Sequence, residues 1–177
     1  MTPETVIARL ALTPTQQAAL DATLEAFAGA SAEAMAVGRR AETTSNVVIH
    51  RFCYRKLRAT FGLSANLAVR AIAHAARRLK EPGCLEAPEM VEYDARTLSL
   101  NDDASGVSLS TVHGRLRDIR LCLDAEPRRR LQGGRPVHAM LRRPERGRYV
   151  LTIRVVPRRS SPSAAQVFSA SNDVLPA

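Results

Sequence analysis

The hydrophobic period of this 177-residue chain changes along its length, and that change constrains the fold more than any other feature. Between about residues 14 and 80, apolar side chains recur three and four apart, the spacing of one helical face. Beyond residue 88 they alternate with polar ones, the period of a strand with one buried face. A single short apolar run, residues 5–12, precedes the helical block. A lone strand leaves its backbone donors and acceptors unpaired. The economical expectation is that it joins the later strands, so that the helices interrupt a β structure.

Local signals set the element ends. Thr13, Pro14 and Gln16 form a capping box with proline in the first turn. Leu20, Leu24 and Phe27 follow at helical spacing and predict a helix ending near Gly29, with a second short helix over 31–38. Residues 45–61 predict the best amphipathic helix, with Val47, His50, Tyr54, Leu57 and Phe61 on one stripe and Arg51, Arg55 and Arg58 on another. Gly62 suits a left-handed cap, and Ser64 caps a helix with Leu67, Ala71, Ala75 and Leu79 inward. Pro82 and Gly83 end it. Alternating runs follow at Val91/Tyr93, Leu98/Leu100, Val107/Leu109, Ile119/Leu121/Leu123, Val137/Ala139/Leu141 and Tyr149/Leu151/Ile153/Val155. Turn residues separate them, which predicts a small twisted barrel or sandwich. The Ser-, Ala- and Pro-rich tail from Arg158 has no period and is expected to be disordered.

Charge is distributed as unevenly as period. Residues 1–110 hold 12 basic and 12 acidic side chains, whereas residues 111–177 hold 14 and 5, so the whole net charge of +9 lies in the last part. An Arg-rich composition alone (24 of the 26 basic residues) explains Arg over Lys but not this asymmetry. A localised surplus points to a polyanion, with nucleic acid ahead of a membrane surface or an acidic protein. Cys53, Cys84 and Cys122 are odd in number and lack a CxxC pair, so neither a disulfide framework nor a zinc site is expected. Reduced thiols and the absence of a signal peptide fit a bacterial cytoplasm, and no apolar run is long enough to span a membrane.

Several segments together resemble one family. Leu12-Thr13-Pro14-Thr15-Gln16-Gln17 with Leu24 and Phe27 is similar to its opening. His50, Tyr54, Leu57-Arg58 and Phe61-Gly62-Leu63-Ser64-Ala65, continued by Ala68 and Ala71, resemble its next helical signature. Tyr93-Asp94, Arg96 and Leu98, then Val107-Ser108-Leu109-Ser110-Thr111 with Gly114-Arg115, then Gly147-Arg148-Tyr149 and the run to Val155, resemble its later strands. In this order and spacing, over about 150 residues, they resemble the N-terminal half of TnpB, the transposon-encoded RNA-guided DNA nuclease related to type V CRISPR effectors. The resemblance implies an α+β fold: a small oligonucleotide-binding-like β-barrel, the wedge, from 1–12 plus 86–157. A helical recognition domain, 13–85, is then inserted after the first strand, and a tail covers 158–177. It also implies structured guide RNA and double-stranded DNA next to the target as partners. The family's nuclease segment, with its carboxylate set and four-cysteine ribbon, has no counterpart after Val155-Val156-Pro157. The expectation is therefore a binding portion without catalysis in this chain, with no cofactor and no metal. A separately encoded nuclease domain is a possible partner, and an unrelated small basic RNA-binding protein is the competing reading.

The candidate contacts follow. Arg51, Arg55 and Arg58 suit a phosphate backbone, with a solvated helix face as the alternative. Arg115, Arg117, Arg142 and Arg148 lie on strands of the basic part. Arg115 and Arg117 share a face; Arg120 falls on the other unless a bulge intervenes. Arg128-Arg129-Arg130 is expected to be a solvated loop. Tyr54 offers a ring for base stacking, although its place beside Leu57 and Phe61 favours the core. The four histidines show no metal-ligand spacing, and no catalytic set stands out.

Overall fold

The computed structural model of the chain describes residues 3–81, 83 and 89–157. The tail from Arg158, Cys84 and Pro82 lie outside the described residues. Strand β1 (Glu4–Ala11) is followed by helices α1 (Pro14–Arg40), α2 (Asn46–Phe61) and α3 (Ala65–Arg78). Then come β2 (Met90–Asp94), β3 (Leu98–Leu100), β4 (Gly106–Thr111), β5 (Gly114–Cys122), helix α4 (Ala125–Gly133), β6 (Gly134–Glu145) and β7 (Arg148–Pro157).

All seven strands form one antiparallel sheet in the order β2-β6-β7-β1-β5-β4-β3. The N-terminal strand sits at its centre, pairing with β7 from Glu4↔Val155 to Arg9↔Val150 and with β5 from Arg9↔Cys122 to Ala11↔Arg120. The two edge strands, β2 and β3, are joined by only Ala95, Arg96 and Thr97. A flat sheet of this width would hold its edges roughly 29 Å apart at ~4.8 Å per strand. Four peptide units reach at most about 14 Å. The sheet must therefore curl until its edges nearly meet, giving an almost closed barrel. The link is tightly tied: Asp94 N donates to Thr97 Oγ1 at 2.8 Å, Arg96 N donates to Asp94 Oδ1 at 3.0 Å, and Thr97 is fully buried. Inward residues of alternating strands, among them Val6, Tyr93, Leu109, Ile119, Leu141, Leu151 and Ile153, fill the interior and join the helices in one buried cluster.

The helices start where the sequence says. Thr13 and Gln16 exchange both capping bonds, at 3.2 and 3.0 Å. Ser64 Oγ accepts from Leu67 N, and Gly62 takes φ 64 as the left-handed cap of α2. Two expectations are corrected. Helix α1 does not stop at Gly29 but runs unbroken to Arg40, absorbing the short helix expected over 31–38. The bare Gly29 backbone is what Phe61 packs on, since a Cβ there would come within 2.6 Å of its ring. The inward stripe of α2 is Ile49, Cys53 and Leu57, rather than one running through Val47, which is exposed. Three apolar residues at i, i+4 and i+8 meet α1 and α3, and Val47 falls off that line.

Polar bonds join helices to barrel. The buried Thr23 hydroxyl donates to Ala19 O at 2.7 Å and accepts from Val112 N at 3.2 Å. Asp21 accepts from Tyr149 Oη at 2.5 Å and Arg143 Nη1 at 2.7 Å. Burial and the Asp21 carboxylate push the Tyr149 phenol up to about 12. At the centre of the α3–β2 contact lies Glu92, its side chain only 3% exposed. Its carboxylate lies 2.8 Å from His74 Nδ1, accepts from Arg77, and has His138 Nε2 at 3.6 Å. Burial alone would raise its pKa. The bonds to His138, His74 and Arg77 outweigh burial and hold the carboxyl far below the usual range.

A depressed folded-state pKa stabilises the fold fully above the ordinary glutamate value of about 4.5, and the contribution drains away as pH falls below it. Glu92→Gln, which leaves its partners uncompensated, is expected to cost roughly 2–4 kcal/mol at neutral pH in urea unfolding. Its stability should also change less than the parent's between pH 5 and 3, a window on the order of one to two units around that value. Equal stability of the two proteins at neutral pH would show that the buried carboxylate does not tie α3 to the barrel.

Candidate nucleic-acid interface

Helices α1 and α3 pack on β2, and α1 also on β4, while the short helix α4 lies beside β1, β6 and β7. On β1 the outward residues are Thr5, Ile7, Arg9 and Ala11, while Val6, Ala8 and Leu10 point in. On β7 they include Arg148, Val150, Thr152 and Arg154. Cross-strand pairing lines up Arg142, Val150, Arg9 and Cys122 in one row across β6, β7, β1 and β5, with Ala11 beside Arg120 in the next.

Strand β5 contributes to this face through an irregularity. Val107 pairs with Ile119 but Leu109 pairs with Leu116, so two residues, Arg117 and Asp118, stand opposite Ser108. Asp118 adopts φ 54, a left-handed conformation that Asp tolerates better than most side chains. The extra residue reverses the inward–outward parity of everything after it. Leu116 turns in before the bulge, and Ile119 and Leu121 turn in after it. Arg115, Arg117 and Arg120 therefore all face outward, which plain alternation forbids.

Past Cys122 the chain turns into α4, correcting the expected loop at Arg128-Arg129-Arg130. Leu131 is the residue that anchors this helix in the core. The helix walls one side of an open groove of about 770 Å³. Ile7, Ala11, Cys122 and Val150 contribute to its floor, and Arg9, Arg120, Arg128 and Arg148 converge on it. Asp124 is the one carboxylate in the lining. Arg148 has Glu145 at 3.5 Å; Arg9, Arg120 and Arg142 have no carboxylate within salt-bridge distance among the described residues. Arg128 Nε is shut off from solvent with no hydrogen-bond partner among them.

The residues singled out from sequence scatter over three places. Arg142 and Arg148 lie on or at the grooved face. Arg117 is exposed on β5, whereas Arg115 is tied to the neighbouring edge, donating to Ser99 Oγ at 2.6 Å and Arg96 O at 3.3 Å. Arg51, Arg55 and Arg58 sit on α2 and take no part in the groove. Arg58 Nε donates to Leu63 O at 3.4 Å and its guanidinium lies 5.9 Å from the Tyr54 ring. Tyr54 is half-buried and stacks on His50 at 4.5 Å, so its ring is already engaged. Of the groove arginines, Arg9 is not singled out by the sequence, Arg120 faces outward there only if a bulge intervenes, and Arg128 falls in an expected solvated loop. Arg9 was legible as an outward position of an alternating strand. Arg120 needed the bulge, and Arg128 needed a helix that carries almost no apolar stripe. No group of three or more His, Cys, Asp or Glu side chains that could hold a metal occurs among the described residues, and no described helix is long and apolar enough to cross a membrane.

The bulge gives a test of the face itself. Asp118→Gly should be neutral or slightly stabilising, since glycine adopts φ > 0 without strain. Asp118→Val should cost about 1–2 kcal/mol in thermal or urea unfolding. Equal tolerance of both would mean that β5 is not held in this register.

Comparison of the chain with protein-family models and with curated proteins finds no match to either.

Proposed function

We propose that this protein binds nucleic acid along the outer face of β7, β1 and β5, with phosphates in the groove walled by α4. The observation that carries the reading is the convergence of Arg9, Arg120, Arg128 and Arg148, from three strands and a helix, on one groove with a single carboxylate in its lining. Guanidinium forks match phosphate oxygens and exchange condensed counterions for direct contacts. The floor suits the same ligand. Ile7 is 65% exposed at the centre of a strand and, with Val150, offers apolar surface to a ribose or a base between the phosphate contacts. Strands hold these positions rigidly, so the spacing of the charges is set by the sheet rather than by side-chain flexibility.

The resemblance to the N-terminal half of TnpB supplies the class of ligand: a structured guide RNA, together with double-stranded DNA next to a target. On that reading, residues 1–12 with 86–157 are the wedge barrel and 13–85 the inserted helical recognition domain. The proposal places no catalytic step in this chain; its chemistry is electrostatic and steric.

Binding of a structured RNA hairpin should fall steeply with salt. Four phosphate contacts give a slope of log K against log salt of roughly −3 to −4. The triple variant Arg9→Glu, Arg120→Glu, Arg148→Glu should lose on the order of a hundredfold or more in affinity and flatten that slope. Arg51→Glu with Arg55→Glu, on a helix outside the groove, should change affinity by less than about threefold. Equal losses from the two sets would reduce the interaction to general charge and overturn the assignment of the groove.

A further inference from the structure

Helix α2 carries more apolar surface than its neighbours cover. Ile49, Cys53 and Leu57 are buried against the rest of the helical block, yet Val48 and Phe52, one turn apart on an adjoining stripe, are 37% and 66% exposed, and Val47 is 77% exposed. Phe52 borders a groove of about 310 Å³ between α2 and the C-terminal end of α1, floored by Val37, Ala41 and Cys53. Burial pushes the Cys53 thiol up to about 11, so the floor is uncharged at neutral pH. Arg40 and Lys56 rim it. Its single carboxylate, Glu33, is already engaged by Lys56 at 2.7 Å and Arg40 at 3.7 Å. Arg51 and Arg55 add exposed positive charge along the same helix.

We propose that this groove docks an acidic amphipathic helix of a protein partner, with an apolar anchor against Phe52 and carboxylates facing Arg40, Lys56 and the adjoining Arg55. The rim selects the sign of the partner and the floor selects its apolar stripe, which is how helix-in-groove recognition divides its work. Two other occupants fit less well. A second copy docking through the same face would set Arg55 and Lys56 against themselves, since a two-fold interface is self-complementary. A nucleic acid would find positive charge here and a ring at Phe52, but Val48 beside that ring and the Val37, Ala41 and Cys53 floor are non-aromatic surface that a phosphate does not cover, and their burial suits an apolar side chain. The surface is independent of the arginine groove on the barrel and stands or falls separately from it.

The test uses the full chain and a synthetic helical peptide of about 20 residues, with leucines three and four apart and glutamates elsewhere. Its affinity is read by fluorescence anisotropy. The peptide is expected to bind in the micromolar range. Phe52→Ser and, separately, Val48→Asp should each weaken it at least about tenfold while leaving the thermal melt unchanged, because both side chains are exposed. Lys56→Glu should weaken the glutamate peptide and strengthen one with lysine in place of glutamate. The proposal is overturned if the acidic peptide does not bind, if the lysine peptide binds the parent chain equally well, or if the peptide affinity is indifferent to Phe52→Ser. A loss of RNA-hairpin affinity in Phe52→Ser, with peptide binding intact, would assign the face to nucleic acid instead.

Discussion

The three-residue link between β2 and β3 sets the shape on which the rest depends. It connects the two edges of a seven-stranded sheet, so it forces the sheet round on itself. Curling creates an interior that only alternating apolar positions can fill, and Tyr93, Leu109, Ile119 and Leu151 supply it. It also creates a convex outside, where polar residues of the same strands must stand. Strand β2 is the exception: it is buried on both faces, because α1 and α3 pack on its outer side. That is why a carboxylate at Glu92, outward by parity, ends up buried and needs His74, Arg77 and His138 around it. The helical block and the barrel are thus joined where the barrel closes, away from the β7, β1 and β5 face that α4 borders.

That face acquires its character from a single extra residue. Without Asp118 in the left-handed region, the basic side chains of β5 would split between core and solvent, an arrangement no barrel of this size can bury. With it, Arg115, Arg117 and Arg120 share the outside, and the last of these reaches the groove with Arg9 of β1 and Arg148 of β7. The charge surplus of the last third of the chain becomes a local feature because the sheet places β1 between β7 and β5, bringing Arg9 from the electrically neutral part into the basic face.

Much of this was legible in the sequence, where the determinants are local. The capping pair Thr13 and Gln16, Ser64, the left-handed Gly62 and the alternation of Tyr149, Leu151 and Ile153 each act within a few residues and read directly. What did not read depends on partners far away in the chain. Gly29 looks like a stop until Phe61 is seen lying on it. Val47 fits an apolar stripe of α2 by helical spacing, but the neighbouring helices choose Ile49 instead. His74, Glu92 and His138 show no sequence spacing because three different elements bring them together. Asp118 carries no turn signature, so the bulge that re-aims Arg120 stood in the sequence only as a condition, and α4 is so polar that only Leu131 buries, so the groove wall was invisible.

On the function proposed above, ligand occupies the β7-β1-β5 face and not the basic helix α2. The most direct measurement is amide and methyl NMR perturbation of the full chain on titration with a structured RNA hairpin. Shifts are expected to concentrate at Ile7, Ala11, Arg120 and Val150 and along the start of α4, with Val47, Val48 and Phe52 unmoved. Shifts centred on α2, or spread evenly over every exposed arginine, would contradict it.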